Sequence, residues 1–226
     1  MRKVIFATGE LYHIYNRGTD KRSIVQDYHD ADRFMQSLTE FNALEPIGSI
    51  YEHSFRKHQL GGSTSKCDLE LEKASDGLVH IIAYCLNPNH FHLILEQASE
   101  RGIEKFMQRL GTGYTMYFNN KHERSGALFQ GKFKAVHIES NAQLLHLSVY
   151  VNLNFRVHQY PESALLRIRS SWEEYTGRIT PNQKNTCHKE KVLGQFRNAK
   201  EYEMFANQTL PAIRERKVVL NASLLE

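Results

Sequence analysis

The feature that most constrains the fold is a pair of apolar segments joined by three turn-forming residues. Residues 78–86 and 90–96 are rich in leucine, β-branched and aromatic side chains, and Asn87-Pro88-Asn89 separates them. Two such segments around a short turn predict an antiparallel β-hairpin. We expect this hairpin to lie in the centre of a sheet.

One strand and one helix are predicted before the hairpin. Aromatic and branched residues at 11–15 indicate a strand. From Asp30, the expected start of a helix, apolar residues recur at i, i+3 and i+4 spacing up to residue 41. Residues 42–77 have no sustained period and are predicted to form an inserted loop.

Two helices and another strand are predicted after the hairpin. An apolar stripe over residues 103–117 indicates a helix, which its glycines could bend or divide. Residues 133–138 resemble a strand. A Ser-x-x-Gln capping box then begins a third helix, over residues 140–154.

The order of these elements predicts an α+β fold of the ferredoxin-like, split β-α-β class. In that fold an antiparallel sheet has two helices on one face. We expect residues 1–158 to form this domain and residues 159–226 to form a small helical appendage. The fold alone does not specify a function.

The positive charge of the chain is concentrated in one segment. Residues 101–140 contain seven Lys or Arg and three Asp or Glu, an excess of +4 that equals the net charge of the whole chain. Aromatic residues are interleaved with these cations, a combination that suits single-stranded nucleic acid. The alternative is an ordinary solvated basic face.

The cysteines and the apolar segments indicate where such a protein would work. Three cysteines without C-x-x-C spacing predict neither a disulfide framework nor a cysteine zinc site. No apolar stretch is long enough to cross a bilayer. We therefore expect a cytoplasmic protein with no membrane role.

Two pairs of residues could carry chemistry. In a strand, the alternation of side chains puts His90 and His92 on one face, where both could bind one metal ion. On the third helix, Tyr150 and Asn154 are four residues apart and project from the same side. A bound cation could help the tyrosine ionise and act as a nucleophile. The alternatives are packed strand histidines and a buried helix aromatic.

Five segments, in the same order throughout, resemble the single-tyrosine HUH transposases of insertion sequences, and most closely the branch associated with repetitive extragenic palindromes. The likeness extends over about residues 8–158. The segments are residues 12–18, 83–93, 105–119, 128–134 and 150–154. The resemblance implies a metal-dependent nuclease and strand transferase that acts on single-stranded DNA, often beside a hairpin or palindrome.

The resemblance also implies a role for each matching residue. His90 and His92 would bind Mg²⁺ or Mn²⁺, and Asn154 would be the third ligand. Tyr150 would attack a DNA phosphate and form a 5′-phosphotyrosine link. After Asn154 this chain reads Phe155-Arg156-Val157-His158 where the family has Pro-Val-Arg-Ala. Without that proline we expect the helix to run on.

Further residues are assigned more loosely. Tyr114 and Tyr117 are alternative nucleophiles, although their spacing favours the core or base stacking. The resemblance is compatible with a homodimer, in which Tyr150 would act with the histidines of its own chain or of the other subunit. It also implies association with the nucleoid. The candidate phosphate contacts are Arg17, Lys105, Arg109, Lys132 and Lys134.

Two other functions are compatible with the same residues. The first is a non-catalytic module that binds structured DNA or RNA on its sheet and basic face. The second is a metal-dependent phosphohydrolase in which water is the nucleophile.

Overall fold

The computed structural model describes residues 4–54, 77–179 and 185–222, with side chains to residue 216. Its centre is a five-stranded sheet in the order β4-β1-β3-β2-β5, and each neighbouring pair of strands is antiparallel. The strands are β1 (Leu11–Arg17), β2 (Val79–Leu86), β3 (His90–Gln97), β4 (Lys134–His137) and β5 (Arg169–Ser170).

Helices cover both faces of the sheet. They are α1 (Tyr28–Glu40), α2 (Gly102–Lys121), α3 (Asn141–Asn152), α4 (Asn154–Val157), α5 (Glu162–Leu165), α6 (Trp172–Thr176), α7 (Glu190–Leu193) and α8 (Ala199–Ala222). Helices α1 and α2 pack together on one face, whereas α3 lies on the other with α8 against it. Within the described ranges, no helix has the length and apolar character needed to span a membrane.

The predicted fold class is confirmed. The first six elements follow the order β1-α1-β2-β3-α2-β4, and the strand order β4-β1-β3-β2 is that of the split β-α-β fold. The turn Asn87-Pro88-Asn89 closes the central hairpin, where the backbone N–H of Asn87 donates to the backbone carbonyl of His90 at 2.8 Å. In the strand order, β1 lies beside β3 and β5 lies beside β2. The apolar hairpin therefore has a neighbouring strand on each side, as expected.

Helix α1 begins earlier than the sequence suggested. Its N-cap is Asp27, which accepts a hydrogen bond from the Asp30 amide at 3.0 Å in a reciprocal capping box. Asp30 is fully buried and forms ion pairs with Lys121 at 2.8 Å and His122 at 2.9 Å. It therefore links the first turn of α1 to the end of α2.

Helix α2 is continuous, so Gly111 and Gly113 do not divide it. A Cβ on Gly113 would lie 2.4 Å from the ring of Phe41, whereas a Cβ on Gly111 would meet nothing within 4 Å. Gly113 therefore allows Phe41 to pack closely against the helix. Phe41 also contacts Ile47 and Ile50 in a small cluster beside this helix.

Helix α3 begins as predicted and ends earlier. Ser140 caps it by accepting from the Gln143 amide at 3.2 Å. The helix stops at Asn152 because Leu153 leaves the helical conformation (φ −108°, ψ 16°), and the short helix α4 follows. The expectation of a continuous helix through Asn154 is therefore wrong. The Ser170 hydroxyl donates to the carbonyl of Asn152 at 2.6 Å and satisfies this helix end.

The C-terminal residues join the main core. Strand β5 pairs with the end of β2, which the sequence did not indicate, and Tyr202 and Ala206 of α8 belong to the same buried cluster as the sheet. The division at residue 158 stays a prediction. In the predicted insertion, residues 50–54 are helical, and residues 55–76 lie outside the described part of the chain.

Candidate active site

The alternation of β3 places its two histidines together. Phe91 packs against Phe34 of α1 at a ring-centroid distance of 5.4 Å, while His90 and His92 lie on the opposite face with their rings 5.2 Å apart. Strand register puts Tyr15 of β1 beside His92, and these two rings stack at 5.6 Å. The sheet thus fixes both imidazoles through its register.

Helix α3 brings Tyr150 to the same face. Its ring lies 5.2 Å from that of His92, at an angle of 78°. Leu144, Ser148 and Val151 are buried and hold the helix against the core. Burial raises the pKa of the Tyr150 phenol, and the nearby Asn154 side chain acts in the opposite direction. Tyr150 thus lies between a histidine and an amide.

Asn154 reaches the histidines from the start of α4. Its Oδ1 lies 3.1 Å from Nε2 of His90. The buried Asn87 amide group lies close to both atoms, 2.8 Å from Oδ1 of Asn154 and 3.0 Å from Nε2 of His90. The break at Leu153 does not separate Asn154 from the site. It places the residue in a new helical turn beside the hairpin end.

The Nδ1 atom of each histidine also lies within hydrogen-bonding distance of a neighbouring side chain. Nδ1 of His90 lies 2.7 Å from Oδ1 of Asn89, which accepts a second hydrogen bond from the Tyr160 hydroxyl at 3.3 Å. Nδ1 of His92 lies 2.9 Å from Nε2 of His13. Burial lowers the pKa of His13 to about 4, so this imidazole is neutral at physiological pH.

The arrangement of His90 and Asn154 fits a divalent cation. Two ligands at about 2.1 Å and at right angles around an octahedral ion lie about 3.0 Å from each other. The His90–Asn154 pair, at 3.1 Å, has this spacing. The described residues contain no metal-binding group of three or more His, Cys, Asp or Glu. The candidate set here is instead two histidines and an amide. Imidazole nitrogens suit transition-metal ions, and the amide oxygen suits Mg²⁺ or Mn²⁺.

The site opens into a cleft of about 1190 Å³ whose walls carry positive charge. Arg17 and Lys134 line it, as do Lys21 and Arg216. The Lys134 ammonium lies 5.9 Å above the ring of Tyr15. A cleft lined by cations attracts a phosphodiester backbone.

The other three candidate phosphate contacts lie elsewhere. Lys105 is exposed on α2, outside the residues that line the cleft. Arg109 donates to the backbone carbonyls of Ala43 and Leu44, and so holds the chain that follows α1. Lys132 is exposed in the loop before β4. The structure therefore brings Arg17 and Lys134 to the site, and not these three.

The alternative tyrosines also lie away from the histidines. Tyr114 is fully buried among α1 and α2 and donates to the carbonyl of Ile24 at 2.7 Å. Tyr117 packs beside it and donates to Asp30 at 3.4 Å. Burial also removes Phe106 and Phe118 from any contact with bases, so most of the aromatic interleaving in residues 101–140 belongs to the core.

Sequence reasoning missed several residues of the site. His13 and Asn87 contact the candidate ligands, and Lys21 and Arg216 line the cleft. Alternation along β1 could have placed His13 on one face with Tyr15 and Arg17. No local pattern indicates that β1 pairs with β3 or that α8 reaches the cleft.

Comparison with known proteins finds a family model that is similar to part of the chain. Residues 56–154 match the model described as "Transposase IS200 like". A solved structure, "Structure of the REP associates tyrosine transposase bound to a REP hairpin", is similar with 10% sequence identity and a TM-score of 0.42. The similarity covers 82% of this chain and 91% of that one. No curated protein matches the sequence. Through residues 56–154, which include the histidine hairpin, Tyr150 and Asn154, this chain is similar to the IS200-like transposases.

Proposed function

We propose that this protein cleaves and rejoins single-stranded DNA with Tyr150 as the nucleophile. In this proposal His90, His92 and Asn154 hold Mg²⁺ or Mn²⁺. The observation that carries it is a convergence: the Tyr150 ring lies 5.2 Å from that of His92, on the face where His90 and Asn154 approach to 3.1 Å. The four side chains meet within one chain, and the proposal places the reaction within a single subunit.

The proposed reaction exchanges one phosphate ester for another. The hydroxyl oxygen of Tyr150 forms a bond to phosphorus and loses its proton. The bond from phosphorus to the 3′ oxygen breaks, and that oxygen leaves as a 3′-hydroxyl. The products are a 5′-phosphotyrosine and a free 3′ end, and a second 3′-hydroxyl later reverses the step. Because the ester bond is conserved, no nucleotide cofactor is required.

The surroundings of Tyr150 must favour loss of its phenolic proton. The pKa of a tyrosine is ordinarily about 10, and burial raises it further here. A bound divalent cation supplies electrostatic stabilisation of the attacking phenolate and of the phosphoryl oxygens. The Asn154 side chain acts in the same direction on the phenol, since its proximity lowers the pKa of Tyr150.

The proposed substrate is single-stranded DNA beside a hairpin or palindrome. Its phosphates would contact Arg17 and Lys134 on the walls of the cleft, with Lys21 as a further contact. The motif resemblance provides the expectation of a hairpin, and a protein with this substrate would act at the nucleoid. The positive cleft supports a polyanionic partner independently of the motifs.

The test is formation of a covalent adduct. A hairpin-bearing single strand labelled at its 3′ end is incubated with the full-length protein and Mn²⁺, and SDS-stable labelled protein is measured. We expect Tyr150→Phe to abolish the adduct. The matched control is Tyr15→Phe, because Tyr15 also contacts His92 and lines the same cleft. That variant should retain the adduct.

The other outcomes contradict the proposal in different ways. Cleaved DNA without an adduct would indicate a hydrolase that uses water. Binding without cleavage in the presence of Mn²⁺ would indicate a non-catalytic binding module. An adduct that survives in Tyr150→Phe and disappears in Tyr15→Phe would identify Tyr15 of β1 as the nucleophile instead.

A further inference from the structure

A second imidazole contacts the candidate ligand His92 on the side away from His90. Nε2 of His13 lies 2.9 Å from Nδ1 of His92, and both residues are buried, with 8% and 7% of their surface exposed. The two rings are nearly parallel, with 18° between their planes. The proposed reaction gives His13 no role.

We propose that His13 is a positioning residue that accepts the Nδ1 proton of His92 and thereby reserves Nε2 of His92 for the divalent cation. This inference rests on the proposed function, which makes His92 a metal ligand. His13 itself would not touch the metal or the DNA.

The role of His13 depends on which of the two imidazoles donates the hydrogen bond between them. A neutral imidazole carries one ring proton, so one nitrogen donates and the other accepts. If His13 donated to Nδ1 of His92, the proton of His92 would lie on Nε2, and that nitrogen could not bind a metal. If His92 donates, Nε2 carries the lone pair that a metal requires. Metal-binding histidines usually donate their second N–H to a nearby acceptor.

His90 provides an internal comparison. Its Nδ1 lies 2.7 Å from Oδ1 of Asn89, an oxygen that can only accept. The proton of His90 is therefore on Nδ1, and its Nε2 faces Asn154. The same arrangement at His92 requires an acceptor behind Nδ1, and His13 occupies that position.

Strand register and stacking hold His13 in place. His13 pairs with Ile94 and Tyr15 pairs with His92, so His13 is the diagonal neighbour of His92 on the same face. The Tyr15 ring stacks on both imidazoles, at 5.1 Å from His13 and 5.6 Å from His92. The contact therefore follows from the packing of two central strands.

The test measures Mn²⁺ affinity, without DNA, by the electron paramagnetic resonance signal of unbound Mn²⁺. We expect His13→Leu to weaken binding about 10- to 100-fold, as is typical when a partner of a metal ligand is removed. His13→Gln should remain within about threefold of wild type, because its amide oxygen can accept the same hydrogen bond. Circular dichroism and thermal melting verify that each variant is folded.

A second measurement does not depend on the variants. Nitrogen-15 NMR of the metal-free wild type, with His92 assigned, should show the proton on Nδ1. A proton on Nε2 would overturn the inference, and so would wild-type Mn²⁺ affinity in folded His13→Leu. If wild type binds Mn²⁺ and forms the adduct while His13→Leu is unaffected, only the role of His13 fails. If wild type does not bind Mn²⁺, the proposed metal site fails as well.

Discussion

The replacement Tyr202→Phe tests how the C-terminal helix holds the helix that carries Tyr150. The Tyr202 hydroxyl is buried between two side chains of α3. It accepts from the Asn152 amide nitrogen at 2.8 Å and lies 3.1 Å from the Ser148 hydroxyl. The Asn152 oxygen accepts from Ser171 in turn, so that three segments share one polar network.

The expected loss of stability comes from the side-chain N–H group of Asn152, which has no acceptor in Tyr202→Phe. Without the hydroxyl, the buried Asn152 amide loses its acceptor, and an unsatisfied buried group costs about 1–3 kcal/mol. Ser148 retains a partner, since its hydroxyl also donates to the carbonyl of Leu145 at 2.7 Å. We therefore expect the free energy of unfolding to fall by about 2 kcal/mol, which lowers the melting temperature of a domain of this size by about 4–8 °C.

Urea unfolding followed by circular dichroism, with thermal melting in parallel, measures this loss. The matched control is Tyr28→Phe, because Tyr28 is 53% exposed and its replacement should change stability by less than about 0.5 kcal/mol. A value for Tyr202→Phe within that same range would refute the reasoning. It would mean that Asn152 finds another acceptor when the hydroxyl is removed.

Three further results are expected. Gly113→Ala should destabilise by about 1–3 kcal/mol in urea unfolding because its Cβ would meet Phe41 at 2.4 Å, whereas Gly111→Ala should stabilise by about 0.5–1 kcal/mol; equal effects would contradict the packing argument. Lys134→Ala should reduce the slope of log affinity for single-stranded DNA against log salt by about 1, and Lys105→Ala should leave it unchanged. Chelation by EDTA should abolish the covalent adduct and excess Mn²⁺ should restore it; an adduct that persists in EDTA would contradict the metal site.

The sequence predicted those parts of the fold that depend on local patterns. The hairpin around Asn87-Pro88-Asn89 was predicted because its two apolar segments and its turn are contiguous in the chain. The start of α3 at Ser140 was predicted because a cap is a local hydrogen bond. Strand β5 could not be predicted, since a two-residue strand forms only where the end of β2 offers it a partner.

The same distinction applies to the candidate site. Alternation along β3 placed His90 and His92 together, and spacing suggested that Tyr150 and Asn154 would be neighbours. Tyr150 and Asn154 do lie near each other, but not on one continuous helix. Leu153 breaks the helix, and Asn154 reaches His90 from the next turn. The contact of His13 with His92 depends on which strands pair, which local spacing cannot reveal.

The two halves of the site are held by different parts of the molecule. Arg17 and Lys134 lie on paired strands of the sheet, whereas the position of Tyr150 depends on how α3 packs against α8. At temperatures where it remains folded, Tyr202→Phe should therefore leave DNA affinity nearly unchanged and slow adduct formation by about tenfold or more, since small displacements of a reacting group reduce rates strongly. Equal losses of affinity and rate would instead indicate that the network stabilises the whole domain uniformly.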